Sequence, residues 1–300
     1  MAKARTKARA RKSHLVRIGL REIETRGLAP AFWTDLYHRS MTVYWPVFFA
    51  SAALIFVLLN AVFAFVFWLG HEPVANVSPD LPLPLSLFYF SIETLATVGY
   101  GDMHPQTNYG HVVATVEIFT GMCFLAVMTG LIFARFSRPR ARFVFAQHPV
   151  VALHEGRRTL MIRVANARHN TISQATARLW LFRLESTKER QQFRRYYELK
   201  LERREHPMFS LSWTLLHVID EASAFHGMSA ENFGSIEGAL ILNLGGVDDS
   251  SAQRLYDRHI YSAQDIRWEH RYTDITSLTE KGRLVLDYSK FHEVAPEQAR

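Results

Sequence analysis

Between Arg39 and Arg135 the chain contains no lysine or arginine, and that gap constrains its fold more than any other feature. The first 26 residues carry nine such side chains, and the C-terminal half is charged throughout. A mean hydropathy near zero therefore conceals a segregated chain. Two stretches inside the gap, from about Val43 to Leu69 and from about His111 to Phe133, exceed the roughly 20 apolar residues that cross a bilayer. The formal charges between Gly70 and Gly110 are all acidic, while basic residues flank both spans on the side reached by the two termini. The positive-inside rule then places both termini in the cytoplasm, with the chain in the cell (inner) membrane.

A net charge of +7 could serve nucleic acid or anionic lipid, and the location of the charge decides between them. The arm from Lys3 to Arg21 lies next to a membrane span, so it is expected to touch headgroups or stay disordered, with no nucleic-acid partner. It lacks the apolar core of a signal peptide. Cys123, the only cysteine, lies within the second span, which excludes a disulfide framework and a Cys-rich zinc site.

Between the spans stands Thr97-Val98-Gly99-Tyr100-Gly101. A cation crosses an oil layer only where something replaces its water, and stacked rings of backbone carbonyls can do so. Carbonyls that all point inward require positive φ at intervals, which glycine accepts. Gly99 and Gly101 meet that need, Thr97 can add a hydroxyl, and Val98 and Tyr100 can brace the stack from outside. The tract reads as a potassium selectivity filter, with K+ at Thr97, Val98, Gly99 and Tyr100. The segment Leu85 to Ala96 has the length of a half-membrane pore helix aimed at a central cavity.

Phe32, Trp33, Leu36 and Tyr37 recur at helical spacing against polar residues, as in an amphipathic helix lying in the headgroup plane. Trp45 and Pro46 then open the outer helix. His71 to Pro84 reads as an extracellular turret, and Asp102-Met103-His104-Pro105 as the outer mouth. From Phe143 onward the pattern turns to short strands. Leu160, Ile162 and Val164 alternate with Met161, Arg163 and Ala165 as in a half-buried strand, whereas Ala177 to Leu184 and Gly238 to Leu244 read as more fully buried ones. Some 150 residues of this kind suggest a β-sandwich.

These residues together resemble the prokaryotic inward-rectifier potassium channels, the KirBac family. The resemblance rests on Trp45-Pro46-Val47-Phe48, on Glu93 through Gly101, and on Ala134-Arg135-Phe136. In the C-terminal half it rests on Thr159 to Arg168, His206 to Trp213 and His217 to Glu221. It implies membrane α plus all-β architecture: a two-transmembrane-helix pore module followed by a cytoplasmic immunoglobulin-like β-sandwich. The expected segments are a basic N-terminal arm (1–30), an interfacial slide helix (31–41), the pore module (42–138) and the regulatory β-sandwich (139–300).

One filter per chain cannot enclose an ion, so several copies must surround an axis, and the family implies a homotetramer. On the inner helix Gly121, Leu125, Thr129 and Phe133 fall at i, i+4 spacing. The resemblance implies that Leu125 and Thr129 line the cavity and that Phe133 forms the bundle-crossing gate. Gly121 and Gly130 are candidate hinges, although glycine in a membrane helix more often permits close packing.

Strong rectifiers carry an acid where Leu125 stands, so cytoplasmic polyamine or Mg2+ is expected to block only weakly. Glu93 and Asp102 are the candidate filter supports. Eukaryotic relatives pair the pore-helix glutamate with a basic residue, but Asp102 stands in that region, so Glu93 is expected to be protonated or bound to backbone. Glu117 is expected to face the back of the filter. Arg135, Arg138, Arg140 and Arg142 follow the inner helix at headgroup depth and are the candidate site for anionic phospholipid, phosphoinositide included.

Other classes fit poorly. No G-x-G-x-x-G follows a strand, no extra span carries arginine at every third position, and none of three His-Glu dipeptides continues to a zinc-protease motif. No enzyme and no organic cofactor is expected, K+ being the permeant ion. The alternative from a different class is a membrane-tethered β-sandwich binding protein whose pore module does not conduct.

Overall fold

The computed structural model describes residues 14–18, 21–25, 35–139, 141–168, 170–236 and 238–297. The chain divides into two compact units, residues 29–138 and residues 139–300 together with 1–28.

The first unit is helical. α1 (Leu36–Thr42) is a short helix, and α2 (Trp45–Trp68) follows after two extended residues with Pro46 in its first turn. α3 (Leu83–Leu95) and α4 (Asn108–Phe136) complete the unit. α2 has 24 residues and α4 has 29, or about 36 and 44 Å at the helical rise, so each exceeds a hydrocarbon core of about 30 Å. α2 lies just inside its sequence-based bounds, and α4 extends three residues beyond its own at each end. Buried Ala64, Phe67, Leu87, Phe90, Val113 and Ala114 join the three long helices in one apolar cluster. The described part of the basic N-terminal segment is an antiparallel pair, β1 (His14–Ile18) with β2 (Arg21–Thr25), grouped with the second unit.

Between α2 and α4, β3 (Val74–Ala75) pairs with β4 (His104–Pro105), tying the turret to the outer mouth. In the second unit β5 (Phe143–Phe145), β6 (Val150–His154), β7 (Arg157–Asn166) and β11 (Ser212–Val218) form one sheet. The other holds β8 (Ile172–Ser186), β9 (Gln192–Leu199), β10 (Glu205–Phe209), β12 (Ala239–Asp248) and β13 (Gln253–Ser262). Leu160, Ile162, Val164 and Trp213 of the first sheet face Leu179, Leu181, Leu240, Leu242 and Tyr261 of the second across a common core. Each such buried side chain contributes about 1.5–3 kcal/mol. This is a β-sandwich.

The two kinds of strand are exchanged relative to the sequence reading. β7 is buried on both faces from Thr159 to Asn166, while β8 and β12 alternate. The C-terminal segment supplies the extra layer: β15 (His270–Tyr272), β16 (Thr276–Leu278), β17 (Leu284–Leu286) and β18 (Val294–Pro296), preceded by β14 (Arg267–Trp268), which pairs with β6. Ile275 and Phe291 cover Ala165, and Tyr272 and Val294 cover Met161. Arg163 is buried there, donating to the carbonyls of Thr273 (2.9 Å) and Phe291 (3.4 Å) with its guanidinium 4.4 Å from the Tyr272 ring.

Candidate functional site

α3 stops at Leu95, and the backbone then tightens. Thr97 N donates to Thr94 O (3.1 Å) and Val98 N to Glu93 O (2.8 Å). From there φ changes sign at every residue: +55° at Thr97, +60° at Gly99 and +87° at Gly101, with Val98 and Tyr100 on the ordinary side. Such alternation turns successive peptides so that their carbonyls share one side, the arrangement that can replace an ion's hydration shell. Thr97 is set apart by its backbone as well as by the hydroxyl expected of it. As a β-branched residue at positive φ it is an outlier holding strain of order 1–3 kcal/mol. All five residues are exposed in the single chain, and an added Cβ on Gly99 or Gly101 would meet nothing within 4 Å.

The outer mouth is strapped to the turret. Asn76 Nδ2 donates to Asp102 O (3.0 Å), Gln106 N to Pro73 O (3.0 Å) and Gln106 Nε2 to Glu72 O (2.8 Å). The Glu93 carboxylate is half-buried, and among the described residues it accepts no hydrogen bond from backbone or side chain. Asp102 is held through its carbonyl oxygen, which accepts from Asn76 Nδ2 and lies 3.4 Å from His104 Nδ1. The polar groups behind the pore helix belong to other residues: Asn60 on α2, Ser91 on α3 and Glu117 on α4, all fully buried. A lone asparagine in an otherwise apolar span is the signal that could have found them.

On α4, Leu125 and Phe133 are 65% and 72% exposed in the single chain, and Thr129 lies exposed between them. Gly121 departs from that stripe. A Cβ there would come within 2.1 Å of Leu95 O, so this glycine lets α4 close on the end of α3. α4 runs unbroken through it. Gly130 has nothing within 4 Å of where its Cβ would stand.

The arginines part ways. A helix as short as α1 leaves its last carbonyls without partners, and basic groups satisfy such an end. Arg135 Nη1 donates to Ser40 O and its Nη2 to Val43 O (2.6 Å), while Arg138 Nη1 donates to Met41 O (3.1 Å). The Arg135 guanidinium lies 4.4 Å from the Trp45 ring centre and 4.7 Å from that of Phe48. Arg135 is buried, with both of its terminal nitrogens engaged by backbone carbonyls of this chain. Arg138 and Arg142 are exposed, and Arg140 lies outside the described residues, as do Phe32 and Trp33.

Residues 143–299 match a family described as the inward rectifier potassium channel C-terminal domain, and residues 52–138 match one described as ion channel. The chain is 36% identical over 283 residues to the inward rectifier potassium channel Kirbac3.1 of Paramagnetospirillum magnetotacticum, covering 94% of this chain and 93% of that protein. It is 30% identical over 245 residues to the inward rectifier potassium channel 4 of Mus musculus (75% of this chain, 54% of that protein). With the ATP-sensitive inward rectifier potassium channel 12 of Bos taurus it shares 26% identity over 314 residues, 97% of this chain and 73% of that protein.

Proposed function

The chain belongs to the inward rectifier potassium channel family, membrane proteins that pass K+ and are not enzymes, and we propose that four copies surround one K+-selective pore. The alternating φ of Thr97, Gly99 and Gly101 carries this reading, because it prepares a carbonyl column that a single chain leaves open on one side. Fourfold symmetry closes the column. The exposed stripe of Leu125, Thr129 and Phe133 then lines the cavity, with four Phe133 rings meeting at the inner end, where a phenyl constriction stops ions by dewetting. Gly130 is the glycine left to bend the inner helix. Glu93 and Asp102 support the filter across the assembled pore.

Both termini and the β-sandwich lie on the cytoplasmic side of the cell membrane, α1 acts as the slide helix, and the β-sandwich acts as the regulatory domain. Anionic phospholipid binds at Arg138, Arg140 and Arg142, each gaining about 1 kcal/mol from an anionic surface. Arg138 joins the inner helix to the end of α1, so a headgroup that draws it away loosens that cap and alters the Phe133 constriction. Phosphoinositide is expected to inhibit. The test is Rb+ uptake into liposomes with graded phosphoinositide, comparing wild type with Arg138→Gln and Arg140→Gln. Wild-type flux should fall with lipid and the variants should respond less; a flux indifferent to the lipid would reduce these arginines to anchors.

A further inference from the structure

Asn60, Ser91 and Glu117 come from three different helices, and each is fully buried within one chain. Apolar side chains dominate the surrounding cluster, among them Phe67, Leu87, Phe90 and Val113. Asn60 Nδ2 donates to Phe56 O of its own helix (2.7 Å), which leaves Oδ1 to accept from Ser91 Oγ (3.0 Å). The opposite amide orientation would set oxygen against oxygen at Phe56. The Ser91 hydroxyl is also in hydrogen-bond contact with Glu117 Oε1. A hydroxyl has one hydrogen, and here it would face two acceptors. The chain of bonds closes if Glu117 supplies a proton of its own: Glu117 donates to Ser91, Ser91 to Asn60, and Asn60 to Phe56.

The surroundings agree with that count. No lysine or arginine lies between Arg39 and Arg135, and Glu117 Oε2 has no partner among the described residues. The titratable side chains nearest along the packed helices are Tyr89 and Glu93 on α3 and His111 and Cys123 on α4, none of them a lysine or arginine. Among the described residues, none of these forms a hydrogen bond with Glu117. An ionised carboxylate would stand in an apolar setting with one oxygen orphaned and no cation to offset it.

One turn along α4 from Glu117 is Gly121, and one turn along α3 from Ser91 is Leu95. The two helices are thus docked twice, by the Glu117–Ser91 bond and by the close approach of Gly121 to Leu95 O. Leu95 ends α3, and Thr97 opens the filter two residues later. We propose that Glu117 is a positioning residue for the selectivity filter: as a neutral acid bonded to Ser91, it sets the depth at which the pore helix presents Thr97 to Gly101. The proposal rests on reading that tract as the filter.

The test uses full-length wild type, Glu117→Gln, Glu117→Ala and Ser91→Ala reconstituted in bilayers, with oligomeric state and K+/Na+ permeability ratio measured for each. Glutamine keeps an N–H donor for Ser91, so Glu117→Gln should retain the wild-type ratio. Glu117→Ala and Ser91→Ala should lower it about tenfold or more, the scale of one lost hydrogen bond. An assembled Glu117→Ala with the wild-type ratio would overturn the proposal, as would a Glu117→Gln as defective as the alanine variant. Should the alanine variants fail to assemble, infrared difference spectra of wild type against Glu117→Gln decide. A protonated-carboxyl band unique to wild type supports the neutral acid, and a carboxylate band in its place overturns it. A wild-type tetramer without K+ selectivity would instead remove the filter reading itself, before any variant is compared.

Discussion

Arg135, near the end of the inner helix, lays its guanidinium 4.4 Å from the ring centre of Trp45, the first residue of the outer helix. Trp45 in turn packs against Phe136, with ring centres 4.9 Å apart. The same arginine satisfies two carbonyls at the end of α1, so one side chain joins α1, α2 and α4. Removing the Trp45 ring should cost about 0.5–2 kcal/mol of that junction. Removing Arg135 should cost more, since hydrogen bonds to charged groups contribute about 1.5–3 kcal/mol each. Thermal unfolding of the purified protein should rank wild type above Trp45→Leu and that above Arg135→Ala. Arg135→Lys should recover little, because an ammonium cannot reach both carbonyls while lying flat on a ring. An Arg135→Ala variant as stable as wild type would contradict this junction.

Gly121 and Gly130 should behave differently when replaced by alanine. A Cβ at Gly121 cannot be placed without moving α4 from Leu95, so Gly121→Ala should lose assembly or K+ selectivity. Gly130→Ala has room and gains up to about 1 kcal/mol of helix propensity, so it should assemble normally and conduct less, as a stiffened hinge would. Equal effects of the two substitutions, read by gel filtration and Rb+ flux, would rule out this division.

Cytoplasmic spermine should block wild type weakly. Leu125→Glu should strengthen block markedly by creating a ring of four carboxylates in a low-dielectric cavity. The check is spermine titration of Rb+ flux, and an unchanged affinity in the variant would show that Leu125 does not face the ion path.

His217 should make the β-sandwich sensitive to acid. It is buried on β11, with Nδ1 2.7 Å from Lys200 O and Nε2 2.7 Å from Ser223 Oγ. The carbonyl requires a hydrogen on Nδ1, so Nε2 accepts from Ser223. Burial holds the imidazole below its ordinary range, against smaller upward effects from the Lys200 carbonyl and Asp220. The unfolded chain therefore takes up a proton near pH 6.5 while the folded one does not. This contribution is complete above about pH 6.5 and is lost as pH falls from there toward the lowered folded value, by up to about 1.4 kcal/mol per pH unit. Thermal melts of the tetramer between pH 7.5 and 5 should steepen below 6.5 for wild type and flatten for His217→Gln. Identical pH profiles would exclude His217 as the source.

The sequence disclosed most where backbone chemistry permits few solutions. Two long apolar spans, Gly99 and Gly101 at alternate positions, and a run of short strands leave little room for another architecture. It disclosed least where a residue's role depends on which distant element covers it. Nothing local marks β7 rather than β8 as the strand with two buried faces, because the covering layer comes from Tyr272, Ile275 and Phe291, more than a hundred residues later. Arg135 and Arg138 stand three residues apart and read alike, yet only Arg135 meets an aromatic pair. Glu117 was visible as an acid in a span, but its partners Asn60 and Ser91 were not, since polar residues on three helices converge only once those helices pack.

The most direct measurement is the reversal potential of the reconstituted wild-type tetramer in a planar bilayer with K+ on one side and Na+ on the other. A column of carbonyls built by alternating φ at Thr97, Gly99 and Gly101 predicts a potential close to that of a K+-only conductance, with Rb+ replacing K+ nearly as well. Gly99→Ala should impair that selectivity, since its Cβ meets no neighbour and acts only through the strained φ of +60°. A reversal potential near zero for wild type, meaning equal passage of Na+ and K+, would contradict the account.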